Sequence, residues 1–184
     1  MSYLSISELC KSLLWAPVDH ESGERADVYC ATDTDLDIAE SRLGVDLPQD
    51  YRWFMKHYGM RGLEDPRVNV GLNGISLSFL GMFAAIDTAV TLTHQYARPN
   101  PLGRAAIPDR SLVIADSIAG DLLLLDLSTR DYGKVRFRHK DLMKQVWTEE
   151  PQELTLLANS FTHLLEQIVA SPKPKVEHLQ LQEL

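Results

Sequence analysis

Cysteine is scarce in this chain of 184 residues, which contains only Cys10 and Cys30. The two residues lie in separate apolar contexts without CxxC spacing, so the sequence offers neither a disulfide framework nor a cysteine-based zinc site. We expect two buried thiols in a reducing compartment. A chain of this length buries enough apolar surface to form one domain without disulfide or metal cross-links.

Positive charge is also in short supply. The chain has 18 lysine and arginine residues against 26 aspartate and glutamate residues, a formal net charge of −8. General nucleic-acid binders and proteins of anionic membranes need a cationic surface. The composition therefore argues against direct nucleic-acid binding and is compatible with a basic protein partner. It also fits an acidic surface that only keeps the protein soluble.

Long apolar runs are missing as well. Beyond the N-terminal stretch the runs are only a few residues long, such as Leu122–Leu125 between Asp121 and Asp126, and are far too short to span a bilayer. The N-terminal sequence MSYLSISELCKSLLW has no basic region and carries Glu8 where an export signal would be apolar. That pattern predicts a helix rather than a signal peptide. We therefore expect a cytoplasmic protein without membrane contact.

The sequence lacks the motifs of common catalytic and cofactor sites. It contains no HExxH, GxSxG, P-loop or GxGxxG, and its six histidines include no pair at ligand spacing on one helix. Four aspartates recur every five residues, at predicted strand edges or turns: Asp116, Asp121, Asp126 and Asp131. Aspartate caps the backbone at such positions. We expect no metal, no cofactor and no enzymatic activity.

The N-terminal residues predict a short helix capped by Ser5 or Ser7. Its apolar positions are Leu9, Leu13 and Leu14, and it stops before Pro17. The stretch from Val18 to Asp35 is polar and acidic, which is typical of a loop.

Two helices are predicted around Gly44. The first is capped by Thr34 or Asp35 and turns Ile38 and Leu43 inward, with Leu36 as a further candidate. Gly44 ends it in the left-handed conformation. The second begins at Pro48 and ends at Gly59. Its apolar stripe, at i, i+3, i+4 and i+7, consists of Tyr51, Phe54, Met55 and Tyr58.

The remaining side chains of the second helix lie off this stripe. Arg52, Lys56 and His57 are expected to be solvated. Trp53 has two interpretations: it packs under a neighbouring segment, or it is an exposed anchor for a partner, a frequent role of tryptophan.

Downstream, alternation at Val68–Val70 and Ile75–Phe79 predicts a hairpin, and Ile86–Tyr96 favours helix over strand. Leu112–Ala115 and Leu122–Leu127 are typical of central strands covered on both faces. The spacing of leucines from Glu153 to Ala170 predicts one closing helix.

A predicted strand at Val135–Arg138 lies in a segment rich in cationic side chains: Arg130, Lys134, Arg136, Arg138, His139, Lys140 and Lys144. Val135 and Phe137 alternate with the two arginines, which predicts apolar side chains inward and arginines outward. The segment is typical of the solvated face of an edge strand. The alternative, a phosphate-binding patch, is disfavoured by the net charge of the chain.

The order of these segments resembles the SUKH superfamily, the Smi/Knr-like family. The resemblance covers roughly Asp35 to Ala170 in five pieces: IAESRLGVDLPQDYRWFMKHYG, GISLSFLG, LVIADSIAGDLLLLDLS, GKVRFRHKD and LANSFTHLLEQI. Two of them depart from the family pattern. HYGMRGLEDP stands where an Asn-Gly-Gly turn is frequent, and RHKD separates the usual histidine and acid by one lysine.

The resemblance implies an α+β fold, a single domain with a mostly antiparallel central sheet flanked by helices. It divides the chain into an N-terminal helix and acidic loop (1–34), a SUKH-like domain (35–170) and a loosely held tail (171–184). It also implies a non-catalytic immunity protein that neutralises a cognate bacterial toxin domain by direct binding. A regulatory or scaffolding module, the role of fungal relatives, is the alternative.

The partner implied by this role is a protein, a toxin domain such as a basic nuclease, whose association an acidic surface would steer. Partner-binding candidates are therefore acidic residues of the segment before the helix that Gly44 ends, together with the tryptophan that lies off the stripe: Asp19, Glu21, Glu24, Asp27, Asp33 and Trp53.

Overall fold

An antiparallel sheet forms the centre of the fold. The computed structural model describes residues 4–16, 29–65, 68–70, 75–77, 82–117, 120–139 and 154–171. Their elements are α1 (Ile6–Ser12), α2 (Asp33–Leu43), α3 (Gln49–His57), β1 (Val68–Val70), β2 (Ile75–Leu77), α4 (Ile86–Tyr96), β3 (Ser111–Asp116), β4 (Leu122–Asp126), β5 (Val135–Arg138), β6 (Thr155–Ala158) and α5 (Phe161–Ala170). The order β3-β4-β5-β6 is antiparallel throughout, and β1 and β2 pair as a separate hairpin. The predicted α+β class is confirmed.

Strands β3 and β4 are buried on both faces, as their continuous apolar runs predicted. Leu112, Ile114, Leu123 and Leu125 belong to the main core, and the side chains between them join a smaller cluster around Ile107. The prediction placed both strands centrally, but β3 is the first strand of the sheet order. It remains covered because α4 packs on it.

Helix α4 is confirmed with the predicted bounds, and one side chain fastens it to the sheet. Thr93 is 7% exposed, and its hydroxyl donates to the Ala89 carbonyl (2.7 Å) and accepts from the Val113 amide (2.8 Å). The β3–β4 register shifts between Val113 and Ala115. The helix contact at Val113 therefore lies directly beside an irregularity of the strand pairing.

The N-terminal ends of α1 and α2 are capping boxes. Ser5 and Glu8 form the first, which confirms one of the two predicted caps. In α2 the cap is Thr32, paired with Asp35, so the prediction of Thr34 or Asp35 as cap was wrong. Asp35 instead supplies the side chain three residues after the cap, as this motif requires.

The inward face of α2 also differs from the prediction. Leu36 and Ala39 are buried, whereas Ile38 is 53% exposed. Residues 36, 39 and 43 share one face of a helix, and residue 38 lies away from it. Leu14, which follows α1, is exposed rather than part of the buried face of that helix.

Helix α3 packs the predicted stripe into the core. Tyr51, Phe54 and Met55 are fully buried, and the ring of Phe54 stacks on that of Tyr58 with centroids 5.8 Å apart. Gly44 ends α2 with φ +67°, as predicted for a left-handed cap.

The leucine spacing predicted one helix for the closing segment, but the structure contains a strand followed by a shorter helix. Residues Thr155–Ala158 form β6, in which Ala158 pairs with Val135 of β5. Helix α5 begins only at Phe161, where the Ser160 side chain accepts from the amide of His163. Apolar spacing over a few residues does not separate a short strand from a helical turn.

The side chains of β5 correct a further prediction. Val135 and Phe137 are buried as expected, but Arg138 is fully buried instead of facing solvent, and burial lowers the pKa of its guanidinium. Arg136 is half-buried and pairs with Asp126 (3.0 Å) and Asp131 (2.7 Å). The segment is therefore only in part a solvated face; Lys140 and Lys144 lie outside the described residues.

Candidate functional site

The partner-binding residues predicted from sequence fall into two groups. Asp19, Glu21, Glu24 and Asp27 lie outside the described residues. Asp33 and Trp53 are both at the surface, on α2 and α3.

The Asp33 carboxylate is held by the neighbouring helix. It accepts from the Lys56 ammonium at 2.8 and 2.9 Å, and the Arg52 guanidinium lies 3.5 Å away. The hydrogen bond from Lys56 is the main cause that lowers the pKa of Asp33. The side chain is nevertheless 65% exposed, so the pair remains open to solvent.

Trp53 is half-buried and packs against the main core. Its ring stacks on that of His57, with centroids 4.1 Å apart and planes 15° from parallel. Trp53 therefore packs partly on the main core and partly on the ring one turn along its own helix. Its use as a partner anchor stays a prediction.

Arg52 was expected to be solvated, but it bridges α3 to α2. Its guanidinium donates to Glu40 (2.6 Å) and Asp37 (2.7 Å), and its side chain is 19% exposed. Asp33, Asp37 and Glu40 are spaced i, i+4 and i+7, so they share the α2 face that meets α3. The hydrogen bonds to Asp37 and Glu40 raise the pKa of Arg52.

A second face of α2 borders a cavity of about 440 Å³, between this helix and the start of α4. Asp35, Ile38 and Arg42 line it at i, i+3 and i+7, and Asp87 lines it from α4. We call it the aspartate cavity. Tyr29, Met60 and Thr88 add to its lining. It combines two carboxylates with an exposed isoleucine.

A second cavity, of about 400 Å³, lies at the other end of the α2–α4 contact. We call it the arginine cavity. Arg42, Arg98 and Arg110 line it together with His94 and Asp109. Its apolar lining includes Leu43, Val45, Ile107 and Leu127. Because Arg42 lines both cavities, they adjoin along α2.

The two cysteines are free thiols. Cys10 is buried, and burial raises the pKa of its thiol to about 12. Cys30 is only half-buried and lines the aspartate cavity, so the prediction of two buried thiols holds for Cys10 alone.

The described ranges contain no group of three or more histidine, cysteine, aspartate or glutamate side chains arranged to hold a metal ion. Within the same part of the chain, no helix has the length and apolar character needed to cross a membrane.

Sequence reasoning missed both cavities. Their residues come mainly from α2, α4 and the loop between α4 and β3, with others from the segments that precede α2, follow α3 and follow β4. The available signal was an isoleucine between charged neighbours in DLDIAESR, but the packing of α2 decides that Leu36 and Ala39 face inward and Ile38 faces outward.

Comparison with known proteins gives one family. A model of the SMI1/KNR4 family (SUKH-1) matches residues 30–167, which include most of the chain from α2 into α5. No curated protein matches the chain.

Proposed function

The chain belongs to the SMI1/KNR4 family (SUKH-1), and on that premise we propose that it is an immunity protein that neutralises a cognate bacterial toxin domain by direct binding. The family match is the observation that carries this proposal. The chain acts by occluding the toxin and performs no chemistry of its own. We keep the division into residues 1–34, 35–170 and 171–184 as part of the proposal.

The aspartate cavity supports a contact surface for a basic partner such as a nuclease. Tyr29, on its rim, directly follows the sequence that holds Asp19, Glu21, Glu24 and Asp27. Asp35 and Asp87 add two exposed carboxylates. Acidic groups around such a cavity steer a basic protein into contact and fix its orientation.

Ile38 gives this surface an apolar centre. It is 53% exposed, and it lies one turn from Asp35 on the same cavity wall. Interface energy concentrates where an apolar centre is enclosed by polar groups. A lysine or arginine of the toxin fits this arrangement, because its aliphatic stem packs on an isoleucine while its charge reaches the carboxylates.

The test co-expresses the protein with the toxin domain that the proposal expects to be encoded beside its gene. We expect rescue of growth and a sub-micromolar dissociation constant, which calorimetry measures. Ile38→Asp should weaken binding by about ten-fold or more, since it places a charge at the centre of the interface. Leu14→Asp is the matched control, because Leu14 is 57% exposed and lines neither cavity. Absence of both binding and rescue would refute the proposal.

The alternative, a regulatory or scaffolding module, is also compatible with the family match. Affinity capture from the native lysate separates the two functions. A single toxin among the captured proteins supports the immunity role, whereas several housekeeping proteins support the scaffold.

A further inference from the structure

We propose that the arginine cavity binds an acidic peptide segment of a protein partner. This goes beyond the immunity role, which rests on a basic partner at the aspartate cavity. Three arginines converge on the arginine cavity from three places in the fold: Arg42 in the last turn of α2, Arg98 just after α4, and Arg110 just before β3.

Charge pairing distinguishes these three arginines from Arg52 and Arg136. Among the described residues none of them forms an ion pair, whereas Arg52 and Arg136 are each held by two or more carboxylates. Asp109 is the single acidic side chain in the described lining. The cavity is thus a local concentration of positive charge in a chain of net charge −8.

The backbone at Arg110 gives an independent reason. Its φ of +56° makes it the one non-glycine residue in the left-handed region within the described ranges. Arginine is disfavoured there, and glycine or asparagine would adopt the conformation at lower cost. The Arg110 carbonyl accepts from the Leu127 amide at 2.7 Å, which fixes the residue at the cavity. Strain of this kind concentrates at functional sites.

The apolar lining selects a peptide over a simple anion. Ile107 and Leu127 are 2% and 1% exposed, and they border the cavity together with the half-buried Leu43 and Val45. An apolar side chain of the ligand fits between these residues. Carboxylates on either side of it then meet the guanidinium groups, which bind carboxylates in bidentate geometry.

The overall charge disfavours nucleic acid as the occupant. A long polyanion extends beyond the cavity along a chain of net charge −8, which repels it, whereas a short acidic segment experiences mainly the local arginines. Screening limits the reach of surface charge to about 8 Å at physiological ionic strength. The occupant is therefore a short segment in which acidic residues flank an apolar one.

Fluorescence anisotropy tests this on the full chain, with a fluorescein-labelled peptide EDLDE as the probe and QNLNQ as its neutral counterpart. We expect binding of EDLDE alone. Arg98→Gln and Arg110→Asn should each weaken it by about three-fold, the scale of an exposed ion pair, and the double variant by about ten-fold. Asparagine tolerates the left-handed conformation, so Arg110→Asn should leave the thermal midpoint at or above that of the parent.

Arg130→Gln is the matched control, because Arg130 is an exposed arginine outside the cavity and its loss changes net charge equally. An equal loss of affinity in this control overturns the proposal, as does failure of EDLDE to bind. Displacement of the peptide by inorganic phosphate at equal concentration would make the cavity a simple anion site. Displacement by a single-stranded oligonucleotide would make it a nucleic-acid site. Either result also overturns the proposal.

Discussion

Gly59 lies directly against the carbonyl oxygen of Tyr29. A Cβ atom built at Gly59 overlaps that oxygen, and the backbone φ of +62° already favours glycine. The same oxygen accepts from the Met60 amide at 3.1 Å, and the Ala31 amide donates to the Met55 carbonyl at 2.8 Å. The end of α3 therefore docks backbone to backbone on the segment that leads into α2.

Gly59→Ala should be far more destabilising than Gly44→Ala. Gly44 also has positive φ, but nothing lies within 4 Å of a Cβ there. We expect a loss of about 1 kcal/mol in the free energy of unfolding for Gly44→Ala, from backbone strain alone. For Gly59→Ala strain and overlap together should cost about 3–5 kcal/mol. Urea denaturation measures both, and equal losses would contradict the role of the Tyr29 contact.

Thr93→Val should destabilise the protein by about 1–3 kcal/mol, because it leaves the buried Val113 amide without its acceptor while conserving side-chain shape. Thr91 offers a control on the same helix, since its hydroxyl bonds the Asp87 carbonyl from an exposed position. Thr91→Val should stay within about 0.5 kcal/mol. Amide exchange at Val113 reports the effect locally, and unchanged protection there in Thr93→Val would count against it.

Adjacent aromatics of α3 should respond differently to truncation. Phe54→Ala removes a fully buried ring that also contacts Phe83 and Phe161, and should cost about 3–5 kcal/mol of stability. Trp53→Ala, at a half-buried position, should instead reduce affinity for the cognate partner, as expected of an interface anchor. A lower melting temperature with unchanged affinity would assign Trp53 to the core alone.

Acid should destabilise the folded state because it protonates carboxylates that pair with lysines. The pKa values of Asp33 and Asp131 lie below the ordinary 3.8, chiefly because Lys56 and Lys134 donate to them. A carboxylate whose pKa is lower in the folded than in the unfolded state stabilises the fold at pH values above its unfolded-state pKa. This stability is lost as the pH falls through the folded-state pKa.

We therefore expect a thermal midpoint that is insensitive to these groups above about pH 5 and that falls below about pH 4. The double change Asp33→Asn and Asp131→Asn should flatten the acid limb. Asp46→Asn serves as control, since this side chain forms no ion pair within the described ranges. An acid limb of unchanged slope in the double variant would contradict the assignment.

Cys10 should be unreactive in the native protein. Its thiol is fully buried and its pKa is about 12, so almost no thiolate exists at pH near 8. In a Cys30→Ser variant, Ellman's reagent should therefore give no rapid reaction until urea unfolds the chain, and one equivalent afterwards. Rapid release from the folded variant would show that the core around Cys10 opens readily.

Several elements follow from local pattern. The apolar stripe of α3, the glycine that ends α2, the bounds of α4 and the hairpin of β1 and β2 were all predicted, because a period of 3.6 or 2 and a left-handed cap depend only on neighbouring residues. The family resemblance drew on the same residues, and the family match confirms it.

Other features depend on contacts distant in sequence. Residues 155–158 form a strand because β5 offers them a hydrogen-bonding edge, and Arg138 is buried because the elements around β5 cover it. The candidate site shows the same limit. Arg42, Arg98 and Arg110 lie far apart along the chain, and no local period relates them.

From the sequence alone, the resemblance to a known family implied the class of the fold, and local spacing predicted the apolar stripe of α3, the cap of α2 at Gly44 and the bounds of α4. Only the tertiary structure decided which charged side chains form ion pairs within the fold and which remain free to contact a partner. Arg52 is held by carboxylates of α2, whereas the arginines of the arginine cavity meet none among the described residues. The physical reason is that an ion pair depends on distance in space, which helix packing sets and local sequence does not.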